Sequence, residues 1–172
     1  RDGLLDLDAD VSTILDDWHL PRDGYEESVT LRQLLSHSAG TSTPGFEGYA
    51  ADGPLPSLEQ MLDGKTPANS PPVRLVTKPG TAFRYSGGGY LIVQKMMETV
   101  TGEPFFQIMR ERVFAPLGME DSHYAPLDPV LHGRAASGHA GGSVIAGKGP
   151  VHAESAAGGF WTTPSDLVRL MI

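Results

Sequence analysis

Residues 78–102 read Lys78-Pro79-Gly80-Thr81-Ala82-Phe83-Arg84-Tyr85-Ser86-Gly87-Gly88-Gly89-Tyr90-Leu91-Ile92-Val93-Gln94-Lys95-Met96-Met97-Glu98-Thr99-Val100-Thr101-Gly102, and this stretch organises the rest of the chain. A turn at Pro79-Gly80 leads into the short run Phe83-Arg84-Tyr85. The three glycines that follow predict a tight backbone turn. After it Ile92, Val93, Met96, Met97 and Val100 recur at i, i+1, i+4, i+5 and i+8, which predicts a helix over about 89–101 with one buried face. Gly102 supplies its stop. Tyr85 and Ser86 are thereby expected on a glycine-loosened loop at the mouth of a buried helix, where a polar side chain is held rigidly while backbone approaches a ligand.

Working outward, Thr30 with Gln33 and Ser57 with Gln60 have capping-box spacing and predict short helices near 31–36 and 57–62. Pro104 opens another near 104–114, with Phe105, Ile108, Met109 and Val113 as its apolar stripe. Thr163-Pro164-Ser165-Asp166 reads as an N-cap, a proline at the first helical position and an acid in the first turn, so a last helix starts at 164. No segment alternates apolar and polar residues over 4–8 positions, so strands are expected to be few and short. The class this predicts is mainly α, with long loops over Thr43–Pro56 and Tyr124–Ala157.

The 172 residues suffice for one domain with a core, and 40% apolar with 20% charged residues is ordinary for a globular chain. Thirteen basic against 21 acidic residues gives a net charge of −8, and no basic cluster exceeds a pair, which argues against nucleic acid or an anionic membrane as partner. The absence of cysteine excludes disulfides and thiolate metal sites and leaves the compartment open. The chain opens at Arg1 rather than methionine, and the pattern Leu167, Leu170, Met171 stops at Ile172 after about two turns, short of the ~10–14 residues usual for a helix. These ends predict an excised piece of a longer protein.

Five separated segments carry a resemblance. Phe83 to Tyr90 followed by Val100-Thr101-Gly102-x-Pro104-Phe105 resembles the second motif of the serine beta-lactamase and penicillin-binding-protein-like family, in the branch of class C beta-lactamases, D-alanyl-D-alanine carboxypeptidases and esterases. Gly3 to Val11, Leu34-Leu35-x-His37-x-x-Gly40, Pro116-Leu117-Gly118-Met119 and Ala156 to Thr163 match other family segments in the family's order. The motif in the family reads Tyr-x-Asn, its tyrosine a proton-transfer residue beside a nucleophilic serine. Tyr85 and Ser86 match, and Gly87 stands where the asparagine that holds the substrate amide would be.

The resemblance implies that residues 1–172 are the helical region of a serine hydrolase acting on a small amide or ester through an acyl-enzyme, without cofactor or metal and in a periplasmic or secreted setting. Tyr85 is the implied catalytic residue, and Ser86 and Gly87 the implied substrate-binding ones. No Ser-x-x-Lys occurs in the chain, so the piece by itself is expected to be inactive. Gly87 also supports an alternative, a catalytically silent binding or sensor module of the same architecture. The exposed apolar surface expected of such a piece predicts self-association, most simply as a homodimer.

Three rival sites are weaker. Asp6, Asp8 and Asp10 alternate as a calcium loop would, but Val11 and Asp17 stand where its glycine and its bidentate glutamate belong. His37-Ser38-Ala39-Gly40 is similar to the Gly-x-Ser-x-Gly nucleophile elbow of alpha/beta hydrolases, with Ser38 as nucleophile. An elbow needs a strand before its serine, and here a helical pattern precedes Ser38, so His37 is expected instead to hydrogen-bond across its loop. His132, His139 and His152 lie at spacings that fit no zinc ligand pattern.

Overall fold

The two capping boxes fold as their spacing predicts. Thr30 and Gln33 exchange backbone-to-side-chain hydrogen bonds at the start of helix α1 (Leu31–Leu35), and Ser57 and Gln60 do the same for α2 (Leu58–Asp63). Such an exchange satisfies two of the four amides that a helix start leaves free. In this computed structural model, which describes residues 3–124, 127 and 129–172, both short helices pack on the long helix α3 (Gly87–Thr101). Leu34, Met61, Leu62, Val73, Leu75, Leu91, Ile92 and Met96 form the core between them. Each such fully buried aliphatic side chain is worth ~1.5–3 kcal/mol.

Helix α3 departs from its expectation in two ways. The three glycines make no turn: Ser86 is the N-cap, and Gly87, Gly88 and Gly89 are the first helical residues. A Cβ on Gly88 would lie 2.9 Å from both the Ser42 carbonyl oxygen and Val73 Cγ2, so it is close approach of other chain segments that requires glycine there. The helix is also buried beyond one face, because Gln94 and Lys95 are inside with the aliphatic residues. Both polar side chains are paired: Lys95 Nζ reaches Asp17 at 2.6 Å and Glu59 at 3.0 Å, while Gln94 bonds Glu98 and the Ala156 amide. Gly102 ends the helix in the left-handed conformation, as expected.

Beyond α3, helix α4 (Phe105–Met109) widens into a π turn over Arg110–Phe114, where one regular helix is predicted. Phe114 then stacks on Phe160 (centroids 5.4 Å apart), and Tyr124 packs on both Phe105 and Phe160. This aromatic group is bound by an antiparallel pair of two-residue strands, β1 (His123–Tyr124) and β4 (Phe160–Trp161). The expected loop 124–157 contains more structure than its composition suggests: α5 (Pro129–Arg134) and the hairpin β2 (His139–Ala140) with β3 (Ser143–Val144). Ala125, Pro126 and Asp128 of that stretch lie outside the described residues. Helix α6 (Pro164–Met171) starts on Thr163, and its buried Asp166 accepts from the Asp121 amide and the Ser122 hydroxyl.

The class is therefore not mainly α. Helix accounts for 34% of the chain and strand for 8%. Apart from α5 the helices fall where capping and periodicity place them, but all except α3 run only 5–8 residues. Between the helices the backbone is held by local turns and by bonds between irregular segments, such as Ser42 to Arg74, Val76 to Gly40, Leu75 to Pro21 and the mutual pair of Tyr49 and Val151. Those bonds depend on distant partners and leave no periodic mark in the sequence.

Two rival sites are spoken for by other interactions. Asp8 makes two hydrogen bonds to the Arg32 guanidinium, and Asp10 caps the short turn Val11–Thr13 through the Ser12 amide. Ser38 follows α1 and shares a hydrogen bond with the Ser36 hydroxyl, with no strand before it.

Candidate active site

Tyr85 lies in the extended run that enters α3, and its side chain is 57% exposed. The residues on either side of it are held by one residue of a different segment. The His37 carbonyl accepts from the Arg84 amide at 2.7 Å, and His37 Nδ1 accepts from the Ser86 amide at 3.2 Å. Between these two bonds the imidazole lies against the Tyr85 ring, centroids 4.3 Å apart and planes tilted by 36°. An Nδ1 that accepts a backbone amide leaves the imidazole proton on Nε2. Tyr90 and Phe83 complete an aromatic group around His37, and the Tyr90 hydroxyl donates to the Leu35 carbonyl.

Ser86 is almost fully buried and its hydroxyl faces inward. It donates to the Ser42 carbonyl at 2.5 Å and accepts from the Gly89 amide at 2.9 Å. The next two amides are also taken: Gly87 donates to Pro44 and Gly88 to Thr43. The start of α3 is thus closed by the carbonyls of residues 42–44, and its first-turn amides are not free to bind an anion in the way helix N-termini often do. Phe46, from the same loop, lies where a Gly87 side chain would go, its Cε2 3.0 Å from the position of a Cβ. An asparagine at 87 would have to displace that ring.

The segment rich in small residues, Ala156–Gly159, is fastened from behind. Gln94 of α3 accepts the Ala156 amide, and a Cβ on Gly159 would meet the His152 carbonyl at 3.0 Å. His152 Nδ1 stands 3.4 Å from a carboxylate oxygen of Glu154, which is wholly buried beneath it. Burial pushes the neighbouring Tyr49 hydroxyl above its ordinary value, and the Glu154 charge adds to the effect. His139 bonds the nearby Ser137 carbonyl and His132 lies on α5, and among the described residues no group of three His, Asp or Glu side chains is gathered for a metal. A cavity of about 640 Å³ opens between residues 47–52 and 145–150, and its lining includes neither Tyr85 nor Ser86.

The structure thus brings Tyr85, Ser86 and Gly87 together as a strip at the head of α3. What the sequence reading missed is the loop 42–46, whose carbonyls and Phe46 ring close that strip from one side. A signal existed in the glycines, since three in a row at a helix start mean that something approaches closely, but their partner is distant in sequence. The burial of Glu154 had no signal at all.

A family model described as Beta-lactamase matches residues 1–172. The lovastatin esterase of Penicillium rubens is 29% identical over 203 residues, covering 99% of this chain and 49% of that protein. The D-alanyl-D-alanine-carboxypeptidase/endopeptidase AmpH of Escherichia coli is 26% identical over 145 residues, covering 83% of this chain and 35% of its own length. This chain therefore spans half or less of these relatives. The octameric penicillin-binding protein homologue of Pyrococcus abyssi superposes with a TM-score of 0.70 at 24% identity, over 98% of this chain and 39% of that one, which is a likeness of fold. With the motif at Tyr85 in place and the match running through every residue, the chain belongs to the beta-lactamase family.

Proposed function

We propose that this chain is the part of a beta-lactamase-like serine hydrolase that supplies the proton-transfer tyrosine, Tyr85, for acyl-enzyme chemistry on a small ester or amide. The observation that carries the reading is the three-point hold of His37 around an exposed Tyr85. A phenol relays a proton well only when its oxygen is held in register with the reacting hydroxyl, and a loop residue fixed on both sides and across its face meets that need. Ser86 and Gly87, both buried, shape the site from beneath, and the Phe46 ring fills the space where the resemblance has an asparagine side chain. The esterase and peptidase names of the relatives support an ester or amide substrate, and an enzyme rather than a silent module.

The test uses a longer protein that contains this chain. Tyr85→Phe is expected to lower its turnover of p-nitrophenyl esters by about 10²–10⁴-fold, the usual worth of a positioned proton-transfer group, with the melting temperature unchanged. Turnover indifferent to that substitution removes the tyrosine from the mechanism. The isolated 172 residues, which contain no Ser-x-x-Lys, are expected to leave nitrocefin and p-nitrophenyl esters at background and to take up no fluorophosphonate label.

A further inference from the structure

His37 occupies a backbone position that few residues other than glycine adopt. It follows α1 and its cap Ser36, its amide bonds the Leu34 carbonyl, and its φ is +55°. At the end of a helix this left-handed conformation is most often given to glycine, and among the other residues asparagine, aspartate and histidine enter it most readily. A non-glycine residue in this conformation persists where the surrounding structure fixes it. Here three parts of His37 are used on the same target: its carbonyl holds the residue before Tyr85, its Nδ1 holds the residue after, and its ring covers one face of the tyrosine.

We propose that His37 is the positioning residue for Tyr85, setting the direction of the phenol without touching the substrate. The proposal rests on the reading of Tyr85 as the proton-transfer group. Two of the three contacts belong to the side chain, so the role separates from a purely structural one. Glycine at 37 keeps the carbonyl bond to Arg84 and relaxes the backbone, while it loses the acceptor and the ring. Asparagine also tolerates the left-handed conformation, and its Oδ1 sits in the same place along the side chain as His37 Nδ1, so it restores the acceptor to the Ser86 amide.

The experiment compares kcat and KM for a p-nitrophenyl ester in the longer protein carrying His37→Gly, His37→Asn, Tyr85→Phe and the double variant His37→Gly/Tyr85→Phe. His37→Gly is expected to stay cooperatively folded yet to lose about tenfold or more in kcat, with KM within about twofold, because a misplaced group costs rate rather than binding. His37→Asn is expected to recover most of that loss. In the Tyr85→Phe background His37→Gly is expected to have no further effect, as for residues that act as a unit. If His37→Gly does not fold, His37→Phe, which keeps a ring but no acceptor, takes its place with the same expectation for kcat. Turnover lowered by Tyr85→Phe but not by the His37 variant overturns the role of His37 alone, as does a loss that multiplies with Tyr85→Phe. Wild-type turnover in Tyr85→Phe overturns the reading of the tyrosine and the role of His37 with it.

Discussion

The Ser86 hydroxyl donates to the Ser42 carbonyl at 2.5 Å while accepting from the Gly89 amide, so one oxygen both caps α3 and fastens the loop that closes the site. Losing an N-cap costs ~1 kcal/mol, and leaving its partners in a dry interior adds to that. Ser86→Ala is therefore expected to lower the unfolding free energy by about 1–3 kcal/mol in urea titrations. A midpoint equal to that of the wild type would show the Ser42 bond to be dispensable.

Gly88 and Gly133 make a matched pair, since both lie in helices and only Gly88 is crowded. Alanine is favoured over glycine in a helix by ~1 kcal/mol. At position 133 no atom beyond its own stretch of helix lies within 4 Å of the new methyl group, so Gly133→Ala is expected to stabilise slightly. At position 88 the methyl meets Ser42 and Val73 at 2.9 Å, and overpacking of ~1–3 kcal/mol outweighs the propensity gain. Thermal melts showing the same shift for both substitutions would contradict the packing at the head of α3.

The buried Lys95 sets an acid dependence of stability. Its hydrogen bond holds the Asp17 carboxyl below the ordinary 3.8. Burial pulls Glu59 up, but the Lys95 hydrogen bond and charge, with backbone and Ser57 hydrogen bonds, together hold it below 4.5. The unfolded chain then binds more protons than the folded one, so this contribution is complete above those ordinary values and is lost as pH falls through the lowered ones. Lys95 itself is raised above 10.5, its two carboxylates prevailing over burial, and its contribution is lost only as pH rises beyond that value. Lys95→Met is expected to cost about 1 kcal/mol at pH 7, since both acids remain partly solvated, and to flatten the decline of stability between pH 5 and about 3. A decline as steep as that of the wild type would assign the acid sensitivity to other pairs, such as Asp8 with Arg32.

Leu167, Leu170, Met171 and Ile172 are all at least 40% exposed at the end of α6, beside a half-exposed Val168. An apolar face of this kind favours association, and a two-fold dimer is its simplest closed form. Sedimentation of the 172-residue chain is expected to show self-association in the micromolar range, abolished by Leu170→Glu. A monomer throughout that range would remove the dimer.

Local chemistry made a large part of this protein legible. The capping pairs Thr30/Gln33 and Ser57/Gln60, Thr163 before Pro164, and Gly102 after α3 mark helix ends through bonds only a few residues long, so the sequence alone placed those ends. The motif around Tyr85 was likewise readable as a contiguous string. What only the tertiary structure decided were relations between distant segments: the glycines of α3 serving close approach to Ser42 and Val73, Lys95 drawn inside by Asp17 and Glu59, Phe46 filling the side-chain space at Gly87, and His37 bracketing Tyr85. The reason is physical. A cap is satisfied within one turn of chain, whereas a buried charge or a missing Cβ is explained only by whichever segment the fold brings against it.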